Sequence, residues 1–435
     1  MALNSCKIAP VLRVFHFFYY QLMSSVRFLR AFLPSLLAFT LGLTSALAWA
    51  QAATSALPAL QVSQPQAHIF KSAAREQLEA HAAKRNAKGV YLNTQLAPER
   101  SLLWGLKMSL RYFAQSLPDT APAPGSIHVQ ALTSAAISAA PPHTFWRLGH
   151  SSALLKMANG DLWLTDPQFS ERASPFSWIG PKRFAPPAIS VADLPPLAGV
   201  LISHNHYDHL DYDSIMALAP KTAVFLLPEG VDQTVLDWGV APEKIRTFNW
   251  WQSVSASRGM GDKMTVTFTP AQHFSARGLG DRNETLWGSW LLDDGQAKVY
   301  FSGDGGYSSH FKTIGQEFGP IDIALLENGA YDKAWLYFHM LPEQTVQAAI
   351  DLQARWLVPV HNGTFRLARH RWYEPLERSV QLAHARGVSI STPRFGAAMS
   401  ITQPQAGSLW WREAMALSRQ VLPLAAPPTK AVPGQ

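Results

Sequence analysis

Apolar and polar positions along this 435-residue chain change rhythm three times. The first stretch ends in an apolar run, Ala31 to Leu47, that carries no charge; Lys7, Arg13, Arg27 and Arg30 precede it, and Ala48-Trp49-Ala50 follows. That is the layout of a secretory signal cleaved before Gln51, and a start at Met23 gives it a conventional length. The alternative is a retained anchor, because the run sits at the lower edge of spanning length. From Gln51 to Pro142 the chain is rich in Ala, Gln, Pro and Ser. Two helices are expected there: a solvated one over Ser72 to Ala87, and an amphipathic one over Pro98 to Leu117 with Leu102, Leu103, Leu106, Leu110, Phe113 and Leu117 on one face. Ala121 to Gly125 reads as a linker, and Pro141-Pro142 closes the segment.

Beyond Pro142 short apolar runs end in polar loops: Ala153 to Met157, Leu162 to Thr165, Gly199 to Ser203, Ala223 to Leu227, Met264 to Phe268, Lys298 to Ser302, Ile321 to Leu326 and Trp356 to Val360. Helical patterns over Pro342 to Ala354 and Pro375 to Arg386 fall between or after them. Strands interleaved with helices predict a layered α/β sandwich. The organisation expected is a signal over 1–50, an N-terminal extension with helices and linker over 51–142, the α/β domain over 143–403, and a Pro-rich tail over 404–435.

Composition narrows the chemistry. A hydrophobic fraction of 47% against 15% charged residues excludes wholesale disorder. The single cysteine, Cys6, lies ahead of the apolar run, so a metal site must use histidines and carboxylates; there are 15 histidines. Of the net charge of +7, four positive charges belong to the first fifty residues, which hold no Asp or Glu. The remaining +3 gives no basic face for a nucleic acid, and none is expected as a partner.

The richest cluster is Ser203-His204-Asn205-His206-Tyr207-Asp208-His209, directly after a strand. In an extended exit, side chains two apart share a side, so His204 and His206 can bind one cation. Asp208 and His209, where the chain turns into a helix, can face a second. Nitrogen and oxygen donors without thiolates suit zinc, while iron and manganese accept similar sets. Two ions need further ligands, and His273, Asp304 and His361 each follow a later strand.

These residues resemble the metallo-beta-lactamase fold, whose His-x-His-x-Asp-His signature is present as His204, His206, Asp208 and His209. Leu164-Thr165-Asp166-Pro167, Gly180-Pro181-Lys182-Arg183-Phe184, Leu286-Trp287-Gly288-Ser289-Trp290, Gly329-Ala330-Tyr331 and His361-Asn362-Gly363-Thr364-Phe365 are similar to its N-acylphosphatidylethanolamine-hydrolysing phospholipase D branch. The resemblance runs from about Gly149 to Phe395. It implies a four-layer αββα sandwich and two zinc ions, one on His204, His206 and His273, the other on Asp208, His209 and His361, with Asp304 bridging. It also implies that Asp166 braces the ligand loop and that His339 stands at the substrate pocket. Two features depart from the branch: Glu327-Asn328 ahead of Gly329, and Phe338 beside His339.

The expected activity is phosphodiester hydrolysis of phospholipids with phospholipase D regiochemistry, in which a hydroxide bridging the ions attacks phosphorus. Asp304, Asp208 and His339 are the expected catalytic groups. Lys182, Arg183, Trp178 and Phe338 are the expected substrate contacts, with a basic, aromatic loop meeting lipid and phosphate at a membrane surface. Location in the periplasm or envelope follows from the signal. The competing readings are a lactonase or sugar-phosphate hydrolase of the same fold, and a non-enzymatic envelope protein that keeps a structural metal.

Overall fold

The computed structural model describes residues 58–68, 70, 83–95, 103, 107 and 119–421, apart from 260, 261, 279 and 333. The expected signal, the helix over Pro98 to Leu117 save Leu103 and Lys107, and most of that over Ser72 to Ala87 lie outside the described residues. At the end of the latter, Lys84–Arg85 pairs with Tyr91–Leu92 as a small hairpin instead of continuing a helix. The turn residues Asn86 and Gly89 between the two strands account for it.

Two sheets form the body of the fold. One runs, edge to edge, through Ile245–Phe248, Thr222–Pro228, Leu197–Leu201, Leu162–Thr165, Ser152–Lys156, Thr144–Gly149 and Ala398–Ser400. The other runs through Gln61–Val62, Gln252–Gly259, Asp262–Thr269, Ser289–Asp293, Lys298–Phe301, Ile321–Glu327 and Ala354–Val360, with Gln66–Ala67 also on Gln252–Gly259. Strands of the first sheet are apolar on both faces, as strands covered on both sides must be. Phe145, Leu155, Trp163, Leu201 and Leu226 face the second sheet, and their neighbours Trp146, Leu154, Leu164, Val200 and Leu227 face helices Ser134–Ala139, Tyr212–Leu218 and Val231–Asp237. Helices His310–Phe318, Pro342–Asp351 and Glu374–Ala385 cover the second sheet. The four layers αββα are therefore present.

Local chemistry explains the better-read elements. Helix Pro342–Asp351 opens on a proline, whose missing N–H is no loss at a first turn, and the Gln344 side chain accepts from Leu341 N at 2.9 Å. Helix Glu374–Ala385 buries Leu376, Ser379, Val380 and Ala383 at helical spacing. Gly199 is required because Trp163, its cross-strand partner, lies over it; a Cβ there would stand 2.3 Å from the indole. The tail differs from expectation. Trp410–Val421 is a helix, and Trp410 and Trp411 are buried in the main core, so the Pro-rich region begins only after it.

Candidate metal centre

The ligand loop leaves the first sheet after Leu197–Leu201, and Asp166 leaves the neighbouring strand Leu162–Thr165. Asp166 ties the loop down from below. Its Oδ1 accepts from Ser203 N at 2.7 Å, while its Oδ2 accepts from Ser203 Oγ and from His209 Nδ1, both at 2.6 Å. Since Ser203 Oγ donates to Asp166, it accepts from His204 Nδ1 at 2.9 Å. Both imidazoles are thereby held with an N–H on Nδ1, which leaves Nε2 as the atom turned to the site, the orientation a metal ligand needs.

From the second sheet come His273, beyond Asp262–Thr269, Asp304, beyond Lys298–Phe301, and His361, directly after Ala354–Val360. Gly303 lets Asp304 approach: its φ is +56°, and a Cβ would meet the Ser203 Cβ at 2.5 Å. His273 Nδ1 donates to Phe338 O at 3.0 Å, again freeing Nε2. The seven expected ligands converge in two groups. His204 Nε2 lies 2.9 Å and His273 Nε2 3.3 Å from His206 Nδ1. Two bare lone pairs thus point at one nitrogen that can donate only one proton; a cation would satisfy all three.

In the second group His209 Nε2 is 3.4 Å from Asp208 Oδ2 and 3.2 Å from Asp304 Oδ2, and His361 Nε2 is 3.3 and 3.0 Å from the same oxygens. Yet the buried His209 Nε2, His361 Nε2 and Asp304 Oδ1 have no hydrogen-bond partner. Donor atoms that crowd without bonding one another are aimed at a shared point, so the residues present fit divalent metal.

Electrostatics agree. Burial holds His204 and His273 well below the usual imidazole range and takes His206 down to about 4, so these rings stay neutral. Burial also opposes charge on His209 and His361, but Asp304 and Asp208 outweigh it, lifting His209 well above its ordinary value and His361 to about 10. Asp208 and Asp304 lie well below the carboxylate range for the reciprocal reason, the nearby imidazoles overcoming desolvation. Without metal, two protonated rings balance two carboxylates.

Sequence reasoning missed His150. It follows strand Thr144–Gly149, is buried, and its Nε2 bonds Asp208 Oδ2 at 3.1 Å, within reach of His209 and His361. Burial drives it to about 3, so it serves as a neutral donor orienting Asp208. The signal was there: it is one more histidine at a strand end.

His339 reaches the centre. Its Nδ1 lies 3.1 Å from Glu327 Oε1, and a ring nitrogen stands within 4.8 Å of His273 and Asp304. Glu327, a departure from the expected pattern, is fully buried and also accepts from Met340 N at 2.9 Å. Phe338 packs on Phe274, whose ring touches His206, and Arg282 lies over Phe274.

The loop residues divide. Arg183 turns inward, donating to Ser170 O, Gln168 O and Gln168 Oε1 at 2.7–3.0 Å. Its expected role as a phosphate contact is corrected: the guanidinium fastens the loop. Lys182 is exposed and paired with Glu171 at 2.6 Å. Trp178 is 73% exposed, with Phe176 and Ile179 each more than half exposed beside it. Arg172 donates to Ser177 O at 3.0 Å and to Gly180 O at 2.7 Å across this tip. Phe176, Asn205 and Tyr207 share the wall of a cleft of about 1100 Å³, so the tip adjoins the ligand loop.

A beta-lactamase superfamily domain model matches residues 163–362, a span that holds all seven expected ligands. The chain is 44% identical over 268 residues to an uncharacterized protein of Mycobacterium tuberculosis, covering 61% of this chain and 70% of that one. The chain belongs to the metallo-beta-lactamase family. It is a metal-dependent hydrolase of that family by fold and relatives. A further family relative, the N-acyl-phosphatidylethanolamine-hydrolyzing phospholipase D 1 of Caenorhabditis elegans, is 34% identical and covers 55% of this chain and 69% of its own. The outer membrane protein RomA of Klebsiella pneumoniae is 57% identical over 102 residues, 23% of this chain and 76% of that one.

Proposed function

We propose that the protein is a dinuclear zinc phosphodiesterase that hydrolyses phospholipids of the N-acylphosphatidylethanolamine type, leaving phosphatidic acid. The observation that carries the reading is the full ligand set on a chain 34% identical to an enzyme of that name. His204, His206 and His273 would hold one ion; Asp208, His209 and His361 the other, with Asp304 between. Such ions lower the pKa of water and neutralise charge on phosphoryl oxygens.

The chain's own residues do the rest. Asp166 and His150 fix the ligands that carry the charge. Glu327 accepts from His339 Nδ1, so His339 presents Nε2 to the site, placed to hold a proton for the departing oxygen. Phe338 and Phe274 make the rim apolar, which suits a departing N-acylethanolamine better than a free amine. The exposed tip of Phe176, Trp178 and Ile179 suits contact with a lipid surface, where amphipathic aromatics settle. Export to the envelope is supported by the likeness to the outer membrane protein RomA, and cleavage before Gln51 by the N-terminal pattern.

Metal-analysed protein incubated with dispersed glycerophospholipids, its products identified by mass, tests the reading. Phosphatidic acid and N-acylethanolamine are expected. Diacylglycerol would place cleavage on the other side of phosphorus, and lactone opening without lipid turnover would favour a lactonase.

A further inference from the structure

His273 stands four residues beyond strand Asp262–Thr269, where no sheet ladder serves its main chain. Buried main-chain N–H and C=O groups must find partners. Asn93 supplies both. Its Oδ1 accepts from His273 N at 3.0 Å, and its Nδ2 donates to His273 O at 2.7 Å. A primary amide carries a donor and an acceptor in one plane, so Asn93 stands in for the peptide unit of an absent strand. Next to it Gln272 makes a second reciprocal pair, Nε2 donating to Gln95 O at 2.5 Å and Oε1 accepting from Gln95 N at 3.4 Å.

The segment that delivers Asn93 is itself anchored. Tyr91 is buried in the main core, its N donates to Asn283 O at 2.8 Å, and its hydroxyl bonds Glu229. Arg85, on the partner strand of the hairpin, lies over the Tyr91 ring at 4.0 Å. Trp287 Nε1 reaches the same Asn93 Oδ1 at 3.2 Å. Phe338 O orients the His273 ring, and Asn93 sets the main chain that carries it.

We infer that Asn93, in the N-terminal extension, is a positioning residue for the ligand His273, so that the extension completes the metal centre although it lies outside the matched family domain. The inference rests on the metal-dependent reading of the site. Ligand geometry tolerates little error, and partners of this kind typically change metal affinity about 10–100-fold.

The test uses the full chain, loaded with zinc against a chromophoric chelator and separately with cobalt(II) for its visible spectrum. Asn93→Ala should weaken one of two ions about 10–100-fold and alter the cobalt band, while the other ion keeps its affinity. Asn93→Asp keeps size and the acceptor but loses the donor to His273 O, so it should show the same one-site loss in a chain of near-native shape. Lys88→Ala, at the exposed turn of the hairpin and away from the Tyr91 anchor, should leave the cobalt band unchanged. Wild-type affinity and spectrum at both sites in the two Asn93 variants would overturn the inference alone. A wild-type chain that takes up no metal would overturn it together with the reading beneath it.

Discussion

At the residue scale the centre depends on groups that never touch substrate. Asp166 accepts three hydrogen bonds that set both His204 and His209 as ligands. Asp166→Asn keeps the shape but puts an N–H where His209 or Ser203 must donate, so metal affinity should fall about 10–100-fold, measured by chelator competition. Unchanged affinity would mean that the imidazoles need no such tether. His339 is the opposite case, since it stands at the centre without belonging to either ligand group proposed above. His339→Ala should lower kcat about 10²–10⁴-fold with full metal content, and equal loss of metal would recast it as a ligand. The residues that converge at the centre were legible because each carries its chemistry in its type and in its place after a strand. His150 was not, because the strand that carries it, Thr144–Gly149, went unread and so no strand end marked it. Arg183 was misread because a basic pair does not reveal which member turns inward; that depends on the carbonyls of Gln168 and Ser170, which only the folded loop collects.

Elements were read best where burial is two-sided or helical spacing is regular. Continuous apolar runs such as Leu162–Thr165 and the stripe of Glu374–Ala385 declare themselves. Thr144–Gly149 was passed over because Arg147 interrupts it, and Gln252–Gly259 because polar residues alternate along it. Helix Trp410–Val421 hid in a region that composition marks as tail. The hairpin at Lys84 hid in a helix-forming composition because tertiary anchoring of Tyr91 overrides propensity. One tight element contact is testable. Gly199→Ala puts a methyl 2.3 Å from the Trp163 ring, in a sheet packed on both faces. Overpacking of that kind costs about 1–3 kcal/mol, so the urea midpoint should drop with an unchanged m-value. An unaltered midpoint would show that the indole shifts freely.

For the whole molecule, the metal centre is also a seam. His204, His206, Asp208 and His209 issue from one sheet, and His273, Asp304 and His361 from the other. Any ion that takes ligands from both sheets therefore crosslinks the two halves of the sandwich, and binding to the folded chain alone must stabilise it. At free metal one hundred times Kd the gain is about 2.7 kcal/mol per site. Chelation should accordingly lower the melting temperature by several degrees. The pH dependence has a definite sign. His209 lies well above its ordinary value and His361 at about 10 in the metal-free chain, so both carry protons at neutral pH that the ion must displace. These raised values belong to the metal-free fold and help it below them, where Asp208 and Asp304 hold the protonated rings. The melting difference between loaded and chelated protein should therefore shrink as pH falls from 9 towards 6, and loading should release protons into the buffer. Scanning calorimetry with and without chelator across that range checks both. A difference independent of pH would show that His209 and His361 do not surrender protons to the ion, and no difference at any pH would show that the two sheets are not joined through metal.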